Sequence, residues 1–168
     1  MDYAEKEHDM AKAKIVKQLS FVLPNKVGQL AAVTELVASE KVSITSLSAR
    51  ELGNNAEFFL TTDANAKAKR ALASLGVEIK EGEAVRMVLP DKSGRLFKVA
   101  KRLADAGVDV RSAWAAASPS GKSATVMVIS SDNEKAAAAI NKEAPKEPKK
   151  AKAPKVPKSA KEQAPTPR

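Results

Sequence analysis

The chain has 168 residues, a formal net charge of +9 and no cysteine. The lack of cysteine excludes disulfides, thiolate metal sites and cysteine nucleophiles. Its one histidine, His8, lies outside every repeated segment of the chain, so a Ser-His-Asp triad or a multi-histidine metal site is not expected. We therefore predict a protein that is not an enzyme and has no cofactor and no metal.

Most of the positive charge lies near the C-terminus. Residues 141–168 contain nine basic and three acidic residues, a net charge of +6, together with six of the nine prolines. This composition predicts a disordered Lys/Pro/Ala-rich tail. Residues 1–14 form a polar leader without an apolar signal segment, and no apolar run approaches the length of a membrane span. We expect a cytoplasmic protein that does not contact a membrane.

The first predicted unit covers residues 15–83. Its first strand ends at Pro24, a short loop ends at Gly28, and Leu30, Val33 and Val37 recur at the spacing of a buried helix face. Asp63 is predicted to cap the second helix. The elements expected in order are a strand over 15–23, a helix to about residue 40, strands over 42–50 and 56–62, a helix over 64–75 and a strand over 77–83.

The second predicted unit covers residues 84–140 and repeats the first at an offset of 66 residues. The segment LPNKVGQL at 23–30 returns as LPDKSGRL at 89–96, and Leu96, Val99 and Leu103 repeat the apolar helix face. A fourth strand is not expected, because residues 143–146 read Glu-Ala-Pro-Lys. The second sheet is thus predicted to lack an edge strand and to leave a neighbouring edge open for pairing.

Each unit therefore has the order β-α-β-β-α-β, which is typical of the ferredoxin-like class of α+β folds. In both units the glycine lies at a helix N-terminus, where unpaired N–H groups and the helix dipole can hold a carboxylate. Neither unit alone buries a large core, so we expect the units, or two chains in a homodimer, to pack together.

These residues carry a resemblance to a known family. A unit of this order in which Asn/Asp-x-x-Gly-x-Leu opens the first helix resembles the ACT domain. The stretch from Lys17 to Leu30 resembles small bacterial proteins made of tandem ACT domains with no attached enzyme, and the resemblance covers about residues 15–140. It implies a regulatory, allosteric and non-catalytic sensor that binds a free amino acid or similar small metabolite where two domains meet.

The resemblance also implies a set of ligand-binding residues. The backbone of residues 26–29 and 92–95 would face the ligand carboxylate, and the loop residue would hold the amino group with help from the residue before the second strand. The candidates are Asn25, Lys26, Val27, Gly28, Gln29, Leu30 and Ser43 in the first copy and Asp91, Lys92, Ser93, Gly94, Arg95, Leu96 and Asp109 in the second. The second copy is favoured, because Asp91 and Asp109 offer two carboxylates to an ammonium group.

Two alternatives stay open. Gly28 and Gly94 could serve only to permit a tight turn. The tail resembles the Lys/Ala/Pro tails of linker histones, so the chain could be a nucleic-acid-associated protein whose domains only dimerise and whose tail binds phosphate backbones weakly and without sequence preference. The tail could equally be a solubilising extension.

Overall fold

The computed structural model describes residues 12–142, which form one six-stranded antiparallel sheet and four α-helices. The strand order is β2-β3-β1-β4-β6-β5. In chain order the elements are β1 (Lys12–Pro24), α1 (Gln29–Ser39), β2 (Ile44–Leu52), β3 (Asn55–Thr62), α2 (Asn65–Leu72) with a 3-10 turn (Ala73–Leu75), β4 (Lys80–Pro90), α3 (Arg95–Asp105), β5 (Val110–Ala117), β6 (Ser123–Ser130) and α4 (Asn133–Asn141).

This order confirms the predicted α+β, ferredoxin-like class. The helices cover one face of the sheet, and the order strand, helix, strand, strand, helix occurs once in each half. The predictions for the tail, and for residues 1–11 of the leader, lie outside the described residues. The remainder of the predicted leader, residues 12–14, belongs to β1. Among the described residues, no helix is long and apolar enough to cross a membrane.

The two halves share strands, which corrects the prediction of an open edge. β1 and β4 pair antiparallel over nine positions, from Lys12 opposite Val88 to Ser20 opposite Lys80. Residues 80–83 thereby act as the fourth strand of the first half. Residues 12–16 take the place of the missing fourth strand of the second half, beside the part of β4 that also pairs with β6. The open-edge prediction was wrong because the pairing partner lies some 70 residues earlier in the sequence.

Each half has its own apolar core between the sheet and its helices. In the first half, alternate residues of β1 such as Phe21 pack against Val33 and Val37. In the second half, Met87 packs against Val99 and Leu103 of α3, and Ala13 of β1 joins them. Two residues expected in these cores are half exposed, Leu30 at 51% and Leu96 at 52%. Both lie in the first turn of a helix, beyond the end of the strand that would cover them.

The face of the sheet without helices is concave. The sheet curls until Trp114 of β5 contacts β2 and β3 at the other edge: its Nε1 donates to Ser46 Oγ at 2.8 Å, and its ring stacks on Phe59 with centroids 6.1 Å apart. Met127 and Gln18 are also buried on this face. The Gln18 side-chain oxygen has no hydrogen-bond partner among residues 12–142. The two halves are thus joined both through β1 and β4 and across the concave face.

Candidate ligand-binding site

Hydrogen bonds hold the first-copy loop at both of its ends. Asn25 N–H donates to the Asn54 carbonyl at 2.9 Å, and the Gln29 side chain donates to the Pro24 carbonyl at 3.1 Å. Gly28 is the N-cap residue, with φ of 91°, and makes no side-chain capping bond. Within the described part of the chain, no side chain therefore caps the amides of the first turn of α1, which is an arrangement suited to a carboxylate.

The second-copy loop repeats this geometry. Gly94 has φ of 81° and caps α3 without a side-chain bond. Asp91 N–H donates to the Lys122 carbonyl at 3.1 Å, as Asn25 does to its own hairpin. A Cβ at either glycine would meet no heavy atom within 4 Å. The left-handed backbone conformation therefore explains the glycine in both copies, whether or not a ligand binds.

A cleft of about 230 Å³ opens beside the first-copy loop. Five of the predicted binding residues line it: Asn25, Lys26, Gly28, Gln29 and Leu30. Its other walls come from the edge strand β2 and its neighbour β3, through Ala49, Arg50, Glu51, Ala56 and Phe58. Val27 is outside this lining and fully exposed. The cleft thus joins the helix N-terminus to one edge of the sheet.

The cleft combines groups of different chemistry. Ala56 and Phe58 are buried apolar residues, whereas Glu51 is exposed and has no ion pair among the described residues. The Arg50 guanidinium is already paired, since its Nη2 lies 2.6 Å from Glu57 Oε2. The arrangement therefore offers amide donors to an anion at one side and a carboxylate to a cation at the other.

Ser43 and Asp109 lie away from the loops to which they were assigned. Ser43 and Asp63 bond to each other at the start of β2, with N–O distances of 3.0 and 3.1 Å, whereas the loop meets the other end of the strand. Eight residue steps of β2 separate the two ends, about 26 Å. Asp109 is placed in the same way beside Ser131. Asp91 and Asp109 consequently cannot hold one ammonium group within a single copy.

The two loops also lie at opposite ends of the molecule. They follow β1 and β4, and those strands are antiparallel. Any sites at the two loops are therefore separate within one chain. Among residues 12–142, no cluster of three or more His, Asp or Glu side chains could hold a metal ion.

Solved structures with the same architecture are numerous. Protein BT0572 from Bacteroides thetaiotaomicron is 27% identical, with a TM-score of 0.68 over 76% of this chain and 88% of that one. The ligand-free regulatory subunit of aspartate kinase from Thermus thermophilus is 17% identical, with a TM-score of 0.56 over 79% and 96% of the two chains. The corresponding subunit from Thermus flavus is 16% identical, with a TM-score of 0.54 over 77% and 94%.

The chain folds as an ACT-domain protein. No protein-family model matches its sequence, and no curated protein matches it either. The resemblance inferred from the repeated loop is confirmed at the level of the fold.

The sequence indicated the loop half of the cleft but missed the half made by β2. The sequence did contain one signal for the part of the cleft made by β2. At an offset of 66 residues, Arg50 and Glu51 correspond to Ala116 and Ala117. The first copy therefore has charged residues on its edge strand where the second has only alanine. Comparison of the two copies at these positions would have favoured the first copy as the better-equipped site.

Proposed function

We propose that the chain is a cytoplasmic regulatory protein, not an enzyme, that binds a free amino acid in the cleft beside Gly28. The observation that carries the proposal is that cleft, in which an uncapped helix N-terminus and the carboxylate of Glu51 line a single space of about 230 Å³. Neighbours in fold are regulatory subunits of aspartate kinase, which supports a regulatory role for this chain as well.

An amino acid fits the cleft in one orientation. Its carboxylate accepts from the amides of the Gly28 loop and the first turn of α1. Its ammonium group meets the Glu51 carboxylate, with the Asn25 side chain as a neutral acceptor. Its side chain then lies over Ala49, Ala56 and Phe58, which favours a small or medium-sized apolar amino acid.

For the predicted binding residues that do not line this cleft, we make a second, separate proposal. Residues 15–83 and 84–140 would act as two ACT domains in tandem, and the loop from Asp91 to Leu96 would form a site of its own. Because Asp109 lies far from that loop, a ligand that touches both must lie between two copies of the chain. This requirement favours a homodimer.

Regulation would operate by a shift of populations. A ligand favours one arrangement of the two halves, or of two chains, only by its difference in affinity for the arrangements. At about 100 times its dissociation constant, a ligand that binds only the folded state stabilises it by about 2.7 kcal/mol. A stabilisation of that size raises the melting temperature by several degrees, which is readily measured.

The test is a thermal-shift screen of the twenty amino acids on the full-length chain, repeated with Glu51→Gln and with Asp91→Asn as the matched change in the other copy. We expect one or a few amino acids to raise the melting temperature of the parent chain and of Asp91→Asn, but not of Glu51→Gln. An effect lost only in Asp91→Asn would move the site to the second loop. No effect of any amino acid, together with salt-dependent retention on DNA that requires residues 141–168, would favour the nucleic-acid alternative.

A further inference from the structure

The edge strand β2 contributes to the cleft with one face and contacts the second half of the chain with the other. Ala49 and Glu51 line the cleft, on the side of the sheet that carries the helices. Ser46 and Arg50 project to the concave side, where they meet Trp114 and Phe59. Within residues 12–142, β2 has a strand neighbour, β3, on one side only. Its position therefore depends on what binds its two faces.

The concave face carries a continuous set of contacts from the cleft to the second half. The Arg50 guanidinium pairs with Glu57 and lies 5.7 Å from the centroid of the Phe59 ring. Phe59 stacks on Trp114 at 6.1 Å and an interplanar angle of 26°. Trp114 Nε1 donates to the Oγ of Ser46, which is a residue of β2, at 2.8 Å. Trp114 is thus attached to β2 directly and also through Phe59.

The local symmetry of the two halves does not repeat these contacts. Trp114 occupies the position that Ser48 has in the first copy, and Met127 occupies the position of Phe59. The second copy also has Ala116 in place of Arg50. An aromatic side chain therefore reaches across the concave face from β5 to the first copy, and the equivalent first-copy residue, Ser48, makes no such ring contact among the described residues.

We propose that the contacts of Trp114 with Ser46 and Phe59 transmit occupancy of the first-copy cleft to β5 in the second half. The proposal rests on the proposed function, because it names how that site is read out. A ligand that contacts Ala49 and Glu51 shifts β2, and the Ser46 hydroxyl and Arg50 guanidinium move with it. Coupling between two sites is reciprocal, so changes at Trp114 also alter the affinity of the cleft.

Trp114 is the only tryptophan, so the emission of the protein reports on this contact directly. The chain has no cysteine, which allows a thiol-reactive group to be placed at one chosen position. Ala49→Cys labelled with N-ethylmaleimide puts an uncharged occupant in the cleft without any knowledge of the natural ligand. Ala38→Cys, on an exposed position of α1 outside the cleft lining, is the matched control.

We expect labelling of Ala49→Cys to shift the emission maximum of Trp114 and labelling of Ala38→Cys to leave it unchanged. Ser46→Ala, added to Ala49→Cys, should reduce the shift. Ser112→Ala, the same change at the equivalent position of β5, should preserve it. Circular dichroism of each variant checks that the fold is retained.

An unchanged Trp114 emission after complete labelling of Ala49→Cys would overturn the coupling. So would an undiminished shift in the variant with Ser46→Ala. Neither result depends on which amino acid binds. Failure of all twenty amino acids in the thermal screen therefore rejects the proposed function alone, whereas failure of the labelling experiment rejects the coupling alone.

Discussion

Lys17 and Glu83 lie opposite each other in the pairing of β1 with β4, and they occupy the same position in the two repeats of the sequence. A local two-fold relation between the halves therefore passes between them. On either side of this point, each long strand leaves its own half and completes the sheet of the other. The same point is marked by two asparagines: Asn65 donates to the Lys17 carbonyl at 2.8 Å and Asn133 to the Glu83 carbonyl at 2.9 Å.

Asn65→Ala and Asn133→Ala should each destabilise the fold. Each side-chain oxygen accepts from both the backbone N–H and the hydroxyl at a strand end, Thr62 for Asn65 and Ser130 for Asn133. Each substitution removes these two hydrogen bonds and also the bond to the Lys17 or Glu83 carbonyl, which makes three. We expect a cost of about 1–3 kcal/mol in the free energy of unfolding. Urea denaturation provides the measurement. Asn54→Ala in the β2–β3 turn is the control, and equal midpoints for the control and Asn133→Ala would refute the role of Asn133.

Asn141→Ala should loosen the start of β1. The Asn141 side chain accepts from the Ala13 N–H at 2.9 Å and donates to the Ala13 carbonyl at 3.0 Å, as a neighbouring strand would. Loss of both bonds exposes a strand edge, so we expect a cost of about 1–2 kcal/mol. Hydrogen exchange should become faster at the amide of Ala13 and remain slow at Leu60 in the middle of the first half. Unchanged exchange at Ala13 would contradict this function of Asn141.

The sequence contained most of the local structure, because strand alternation, helix periodicity and the two glycines are local signals. Local signals did not predict that β1 and β4 would each complete the sheet of the other half. Lys12, Ala13 and Lys14 alternate like a strand but read as part of a polar leader, and their burial depends on β4. The predicted cap was also wrong: Asp63 bonds to Ser43, and Asn65 makes the bonds at the start of α2. In the second half the N-cap of α4 is Asp132, which accepts from Lys135 N–H at 2.9 Å.

For the site, the repeated motif located the loops but not the surface that faces them. The pairing expected between Asp91 and Asp109 failed because α3 carries the chain to the opposite end of the sheet before β5 begins. The carboxylate of Glu51 reaches the cleft because β2 is the neighbour of β3, whose start lies beside the end of β1. Both facts follow from the order of the strands in the sheet. The alternation of residues along a single strand gives no information about that order.

Lys41→Gly should stabilise the protein. Lys41 follows α1 with φ of 55°, the left-handed conformation that Gly107 adopts after α3 with φ of 63°, and a residue with a Cβ is strained in this conformation. Removing this strain gains about 1–2 kcal/mol, and the greater freedom of glycine in the unfolded chain offsets about 0.4–1 kcal/mol. We expect a net gain of about 0.5–1 kcal/mol in urea denaturation. Gly107→Ala, the reverse change in the other copy, should cost about 1 kcal/mol, and a loss of stability in Lys41→Gly would contradict the argument.

Glu81→Gln should reduce stability near neutral pH but not in strong acid. Glu81 lies on the part of β4 that completes the first half, and the Lys69 side chain of α2 donates to it. This hydrogen bond, together with the positive charge of Lys69, lowers the pKa of Glu81 below its ordinary value of 4.5. A carboxyl group with a lowered pKa in the folded state contributes stability above its unfolded-state pKa, and the contribution is lost as the pH falls through the folded-state value.

The melting temperature of the parent chain should therefore exceed that of Glu81→Gln at pH 7. The difference should begin to decrease below pH 4.5 and should vanish once the pH is below the lowered pKa of Glu81 in the folded state. The difference should be small, because both side chains are about half exposed and surface ion pairs contribute little. Added salt should reduce it further at pH 7. Glu35→Gln, on an exposed position of α1 with no ion pair among residues 12–142, should show neither the neutral-pH difference nor its loss in acid. A difference between the parent and Glu81→Gln that persists unchanged into strong acid would show that lost packing, not lost charge, explains the effect.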